Sequence, residues 1–191
     1  MSVQKADGKP LAGAVVMLHA LDGPTHPAAP QRTVMDQVNL SFAPDVLVIP
    51  VGSTVEFPNT DATRHQVYSF SSTHAFQLPL YRGKPYPPER FDRVGLVTLG
   101  CNIHDTMVAY IVVTDAPFFG RTEASGVWTA SAVPRGHYRV QVWHPRLRDA
   151  APELQRDLLV GDSDHAELGI RLQHALRPAP VAGSSHSWDA Y

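Results

Sequence analysis

The only cysteine of the chain lies in a short segment rich in side chains that can bind metals. The segment Leu99–Met107 reads Leu-Gly-Cys-Asn-Ile-His-Asp-Thr-Met, so His104 and Met107 follow Cys101 at intervals of three residues. A lone thiol cannot form an internal disulfide, which leaves it as an inert buried side chain or as a reactive ligand. Thiolate, imidazole and thioether form a soft donor set that suits copper better than zinc or magnesium. The segment therefore predicts a copper site that one more imidazole would complete.

His65 is the candidate for that second imidazole. It lies 36 positions before Cys101 and must arrive from a different strand, whereas Cys101 and His104 can converge from one tight loop. Each residue also has an ordinary structural explanation. A buried cysteine is usually an inert small hydrophobe, a methionine near an aromatic such as Tyr110 usually packs in a core, and a strand histidine can simply be hydrogen-bonded.

The segments around these residues resemble those of the cupredoxins, the blue-copper proteins. The resemblance rests on Val55–Val67, which contains Phe-Pro-Asn and His-Gln-Val, and on Gly95–Met107, whose Cys-x-x-His-x-x-Met loop has the short spacing of amicyanin. It covers residues 34–115, and the whole chain is similar to the cupredoxin-domain proteins labelled methylamine-utilisation proteins. It implies an all-β fold, a Greek-key cupredoxin β-sandwich that binds one copper ion.

The resemblance also implies a role for each ligand. Cys101 would supply a short covalent bond to the metal, while His65 and His104 would complete a trigonal plane as neutral imidazoles. Each imidazole would be oriented by a partner at its other nitrogen. His65 would be buried, and an edge of His104 would reach the surface as the exit for the electron. Met107 would be a distant axial ligand that tunes the potential more than it holds the ion.

Two residues depart from the cupredoxin pattern. Gln66 follows the first histidine, where these proteins commonly have an asparagine that pins the ligand loop. Asp105 follows the loop histidine, where a proline or an apolar residue is usual. A carboxylate at this position should favour Cu(II) over Cu(I), lower the potential and select a partner that is basic at its contact.

Composition and charge exclude several classes of protein. The 191 residues include 17 prolines and 13 glycines, are 43% hydrophobic and carry a formal net charge of −2. Such frequent proline and glycine leave few helical stretches, so the chain should be mostly β with enough apolar residues for a core. A near-neutral chain lacks the net positive charge that would attract nucleic acid or an anionic membrane, so proteins or a metal are the expected partners.

No apolar run approaches the ~20 residues that a membrane-spanning helix needs, so no membrane span is predicted. The run Leu11–Leu21 has the apolar character of a secretory signal, but a turn signature, Asp7–Pro10, precedes it and no small-residue cleavage site closes it. We therefore expect a strand there. The blue-copper resemblance implies a periplasmic protein whose export signal has been removed.

Short strands are predicted on both sides of the ligand segments. Residues 71–93 contain several prolines and are expected to be an irregular connection, and residues 94–99 and 108–114 should lie side by side in one sheet. The other predicted strands of this domain are Val46–Ile49, Thr54–Phe57 and Gln66–Phe70.

The flanking segments resemble a second small β-sandwich of the transthyretin or carboxypeptidase-regulatory type. The resemblance rests on Asp7–Val16, Thr122–Trp128 and Val133–Pro145. It implies a discontinuous domain of residues 1–21 and 116–175, with the copper domain inserted in it or packed on it. One enlarged sandwich is the alternative. A Pro-, Gly- and Ser-containing stretch, residues 176–191, is expected to be a flexible tail.

The leading functional hypothesis is a one-electron carrier that docks a redox partner protein and turns over no substrate. Alternatives are a copper chaperone or resistance protein, a red-copper catalytic site like that of the nitrosocyanins with Glu56 as an oxygen ligand, and a docking or carbohydrate-facing module without metal. Zinc is possible at the same cysteine and histidines, although a thioether is a poor zinc ligand. Of the other histidines, only His74 is placed where it could approach the metal.

Overall fold

The computed structural model describes residues 1–23, 26–83, 85–104, 106–149, 151–162 and 165–179. Short strands dominate, in agreement with the frequent prolines and glycines, and the predicted all-β class is confirmed. In chain order the strands are β1 (Ser2–Gln4), β2 (Val15–Ala20), β3 (Arg32–Val34), β4 (Asp36–Val38), β5 (Ser41–Ala43), β6 (Val46–Pro50), β7 (Ser53–Glu56), β8 (His65–Ser71), β9 (His74–Tyr81), β10 (Glu89–Phe91), β11 (Gly95–Gly100), β12 (Val108–Thr114), β13 (Phe118–Arg121), β14 (Gly136–Trp143), β15 (Gln155–Val160) and β16 (Gly169–Arg171).

The chain divides into two compact units. The central unit comprises Pro30–Val113, and the split unit is built from Met1–Ala29 together with Thr114–Pro178. The split unit thus contains chain from both sides of the central unit. The transthyretin-like assignment of the split unit and the domain bounds given above stay predictions. Of the expected tail, residues 180–191 lie outside the described residues.

The central unit is a β-sandwich whose core lies between two sheets. One sheet has the strand order β6-β12-β11-β8-β9, and the other has the order β10-β7-β3. Along β8 and β11 buried side chains alternate with more exposed ones, as expected for strands with one face on a core. The buried cluster draws on both sheets, through Ile49, Val55, Val67, Leu78, Phe91, Val97, Leu99, Ala109 and Ile111.

The predicted irregular connection over residues 71–93 is wrong in part, because β9 and β10 lie within it. In β9, Phe76 and Leu78 turn toward the core at alternating positions. Pro79 cannot donate to a ladder, but β9 is an outer strand of its sheet, where proline is tolerated. The opposite outer strand, β6, likewise ends in Pro50. Proline therefore marks the edge of this sheet and does not break it.

The split unit contains a four-stranded antiparallel sheet and a two-stranded parallel ladder. The sheet has the order β13-β2-β14-β15, and the ladder pairs β1 with β16. Both contribute to one buried cluster, which includes Val3, Val16, Val140 and Ile170. The first strand of the chain is therefore held by one of the last strands of the described part.

Helical structure is sparse in the described ranges. A single 3₁₀ turn, Ala151–Leu154, precedes β15. Its last residue, Leu154, packs in the core of the split unit. Among the described residues there is no helix with the length and apolar character needed to cross a bilayer.

Candidate metal centre

The ligand loop connects two paired strands of the central unit. β11 and β12 are antiparallel, with Gly95 opposite Val113 and Gly100 opposite Val108, as predicted from the sequence. Residues 101–107 therefore close the end of this pair. The backbone N–H of Met107 donates to the carbonyl of His104 at 2.9 Å. Cys101 is consequently fixed at the end of β11, and the turn after it brings the backbone of His104 back toward β12.

His65 comes to the same end of the sheet from another strand. It is the first residue of β8, which runs antiparallel to β11 with Tyr68 opposite Gly100. This register carries the start of β8 past the end of β11, to the level of the ligand loop. The sheet pairing thus joins parts of the chain that are 36 residues apart.

Three of the four predicted ligands come together at this point. One ligand atom each from His65, Cys101 and His104 lies within 4.8 Å of the other two. Nδ1 of His65 is 3.9 Å from Sγ of Cys101, and the two imidazole rings are 5.0 Å apart at an angle of 61°. His65 and Cys101 are buried, and His104 is half-buried.

Met107, the fourth predicted ligand, is buried in the same apolar cluster as Cys101. Its backbone closes the loop on His104, whereas its role as an axial ligand stays a prediction. Asp105, the residue of this loop that departs from the cupredoxin pattern, lies outside the described residues.

The orientation of His65 is set by a carboxylate that sequence analysis missed. Nε2 of His65 lies 3.0 Å from Oδ2 of Asp61. A carboxylate is only an acceptor, so Nε2 carries the hydrogen and the lone pair of a neutral ring is on Nδ1, which faces Cys101. One feature of the sequence could have indicated this contact: Asp61 lies in a turn-forming segment, four residues before a histidine that begins a strand.

Asp61 is held ionised by the donors around it. The backbone N–H of Leu40 donates to Oδ2 at 2.8 Å, and that of Ala62 donates to Oδ1 at 2.8 Å. These bonds and the imidazole of His65 lower the pKa of Asp61 from 3.8 to about 2, with the Leu40 N–H as the largest cause. The partner of His65 is therefore an anion at neutral pH.

His104 supplies an unpaired atom at the site. Its Nδ1 is buried and has no hydrogen-bond partner among the described residues. A buried polar atom without a partner is costly, and a metal ion bound there would satisfy it. Ligands sharing an ion at about 2.0 Å from nitrogen and about 2.3 Å from sulfur are roughly 3.5–3.7 Å apart. The distance of 3.9 Å between His65 and Cys101 is close to this spacing, so the three residues fit a metal after a small closure.

The chain is similar in structure to solved cupredoxins. A purple cupredoxin from Nitrosopumilus maritimus is 22% identical, and the match covers 43% of this chain and 99% of that one with a TM-score of 0.39. A variant of amicyanin in its reduced Cu(I) form is 21% identical over 51% of this chain and 99% of that chain, with a TM-score of 0.41. A copper-containing nitrite reductase from Thermus scotoductus is 26% identical over 59% of this chain but only 28% of its own, also with a TM-score of 0.41. No sequence family and no curated relative matches the chain.

Two further candidate ligands of the central unit make other contacts instead. His74 lies with Nε2 3.3 Å from Oε2 of Glu89 and packs against Phe91. Glu56, the oxygen ligand of the catalytic alternative, accepts a hydrogen bond from Nε of Arg32 at 2.6 Å. Neither belongs to the group of ligand atoms around Cys101.

A second group of ionisable side chains lies in the split unit. Asp149, Glu153 and His174 offer ligand atoms within 4.8 Å of one another. Asp149 is buried, but its oxygens accept the backbone N–H groups of Gln173 and His174 at 2.8 and 2.9 Å. Asp149 therefore has a structural role, because its buried carboxylate holds the segment that follows β16.

Acidification is expected to destabilise the central unit between about pH 4 and pH 2. A carboxyl group whose pKa falls on folding stabilises the folded state while it is ionised, so the contribution of Asp61 is present above its ordinary pKa of 3.8 and is lost as the pH falls through about 2. Urea unfolding of the metal-free protein and of Asp61→Asn should show a stability difference that is largest near neutral pH and shrinks toward pH 2. A difference independent of pH would contradict this assignment.

Proposed function

We propose that the central unit binds one copper ion through His65, Cys101 and His104, with Met107 as a weak axial ligand, and acts as a one-electron carrier. The observation that supports this most directly is the convergence of two imidazoles and one thiol in a buried site. It is strengthened by Nδ1 of His104, which has no hydrogen-bond partner in the described part of the chain, and by the lone pair of His65 that faces Cys101.

The donor set favours copper over other common metals. Mg²⁺ and Ca²⁺ prefer oxygen ligands, whereas the carboxylate of Asp61 is bonded to the far nitrogen of His65, the one that points away from Cys101. Zn²⁺ would accept the thiolate and the imidazoles but would gain little from a thioether. A His₂Cys site with a weak axial methionine is the arrangement typical of blue copper.

The way the ligands are held suits electron transfer. Cys101 directly follows β11 and His65 begins β8, and a backbone hydrogen bond from Met107 to His104 closes the loop that carries Cys101 and His104. Copper, when bound there, supplies a reversible one-electron couple. Ligands held by the sheet move little between oxidation states, so little energy is spent on rearrangement.

His104 is the proposed point of contact with a redox partner protein. It is half-buried, whereas Asn102, Ile103 and Thr106 on the same loop are exposed, as is Val108 at the start of β12. We therefore place the exit of the electron at this imidazole, which lies among exposed residues of the loop. We further propose a periplasmic location, in line with the blue-copper interpretation of the site.

The absorption and paramagnetic-resonance spectra of the copper-loaded protein test this function. A trigonal His₂Cys centre should give an intense thiolate band near ~600 nm that disappears on one-electron reduction and returns on oxidation. Failure to bind copper, or a bound Cu(II) without this band, would refute the proposal.

Exchange of the ion separates a carrier from a copper donor. A carrier should retain Cu(I) through repeated redox cycles in the presence of a competing chelator such as bicinchoninate, whereas a chaperone should release it within a few minutes. Oxidation and reduction without loss of copper are therefore expected. Rapid release would favour the chaperone function at the same ligands.

A further inference from the structure

The hairpin formed by β4 and β5 turns through two residues in a strained conformation. Asn39 and Leu40 adopt φ values of 52° and 56°. Two-residue hairpin turns of this kind favour glycine at the second position, because a larger side chain is disfavoured at positive φ. Leu40 gains little from packing in return, since 46% of it is exposed. Strain that packing does not explain points to another role for the turn.

The turn is bonded to the residue that orients His65. The N–H of Leu40 donates to Oδ2 of Asp61 at 2.8 Å, and the same oxygen lies 3.0 Å from Nε2 of His65. The other oxygen of Asp61 accepts the N–H of Ala62 at 2.8 Å. The carboxylate is thus fixed by two backbone groups, and it presents a defined acceptor to the imidazole.

The rest of the hairpin is bonded to the same segment. The carboxylate of Asp36 accepts the N–H of Thr60 at 3.2 Å and its hydroxyl at 2.7 Å. The carbonyl of Gln37 accepts the N–H groups of Thr60 and Asp61, both at 3.1 Å. The hairpin therefore holds the backbone that leads into β8 at several points, and the turn adds the contact to the carboxylate.

We propose that the β4–β5 hairpin, acting through Leu40 and Asp61, is the positioning element that holds His65 ready for the metal before an ion binds. With Asp61 in place, Nε2 keeps its hydrogen and Nδ1 faces Cys101. Without that acceptor the two neutral tautomers interconvert and the ring is free to reorient, so a bound ion loses a ligand more easily. The effect on the ion rests on the proposed function, whereas the effect on the imidazole is a property of the metal-free chain.

The test compares Asp61→Ala, which removes the acceptor, with Leu40→Pro, which removes the donor and also opens the turn, because proline cannot adopt the positive φ of Leu40. Nitrogen-15 NMR of the metal-free protein should show His65 as the Nε2–H tautomer in the native chain and as a mixture in both variants. Transfer of Cu(I) to bicinchoninate should be about 10- to 100-fold faster in Asp61→Ala and faster to a smaller extent in Leu40→Pro.

Two control variants separate positioning from general destabilisation. Leu40→Gly keeps the N–H and relaxes the turn, and Asp92→Ala removes an exposed carboxylate that pairs with Arg90. Both should keep the native tautomer and the native transfer rate. The proposal would be overturned if His65 kept its native tautomer in Asp61→Ala or in Leu40→Pro. It would also be overturned if Asp92→Ala changed the tautomer or the transfer rate as much as Asp61→Ala does. If the native chain does not bind copper, the proposed function fails while the tautomer result still decides whether His65 is positioned.

Discussion

Replacing Cys101 with serine is expected to abolish the intense visible band of the copper-loaded protein and to leave copper only weakly held. The band arises from the thiolate bond to the metal, and a serine hydroxyl supplies no equivalent bond. His65 and His104 remain, so residual weak binding through imidazoles is expected. Absorption and paramagnetic resonance of the variant at equal copper loading measure the change.

The serine variant needs a folding control, because Cys101 is only 3% exposed. A buried hydroxyl without a partner costs about 1–3 kcal/mol, which the central unit should survive. Circular dichroism and thermal unfolding of the metal-free variant check this. A matched variant, His74→Asn, changes a histidine of the same unit that pairs with Glu89 and should keep the band. A native spectrum in Cys101→Ser would refute the assignment of the ligands.

Replacing Gly126 with alanine is expected to destabilise the split unit by roughly 2–5 kcal/mol. Gly126 has a φ of +73°, and a Cβ there would lie 2.6 Å from the carbonyl oxygen of Val3 and 3.0 Å from the backbone nitrogen of Leu11. Positive φ costs about 1–2 kcal/mol in a residue with a Cβ, and overpacking costs about 1–3 kcal/mol. The neighbouring backbone cannot yield easily, because Val3 donates its N–H to Gly126 and accepts that of Leu11.

This variant also tests the proposed division into domains. Gly126, Val3 and Leu11 all belong to the split unit. The unfolding temperature of that unit should therefore fall, while the copper spectrum of the central unit should persist. Gly161→Ala is the matched control, because no atom lies within 4 Å of its added Cβ, and its stability should change by less than about 0.5 kcal/mol. Loss of the copper band at the temperature where Gly126→Ala unfolds would show that the two units unfold as one.

The parts of the site that sequence analysis predicted are those with short spacing or strong strand patterns. The loop from Cys101 to Met107 lies between two alternating apolar runs, so its place between paired strands follows from local patterning. His65 could be proposed because Val55–Val67, with its Phe-Pro-Asn and His-Gln-Val, resembles the cupredoxin segment that carries the first histidine ligand. The distance that joins it to Cys101 depends on the pairing of β8 with β11, which spacing alone does not determine.

The parts that it missed depend on tertiary structure. The turn of the β4–β5 hairpin is Asn39-Leu40, and without the Asn-Gly pair typical of such turns the sequence of residues 33–45 does not indicate a hairpin. Asp61 is an ordinary turn residue until the fold places its carboxylate between Leu40 and His65. The sequence of β9 predicts a loop, because proline disfavours a strand unless that strand lies at the edge of its sheet.

The prolines of the two outermost strands also affect how copies of this chain meet. A strand that joined the five-stranded sheet of the central unit from another molecule would need a continuous row of amide hydrogens, and Pro50 in β6 and Pro79 in β9 each remove one. Intermolecular growth of the sheet is thereby discouraged at both rims.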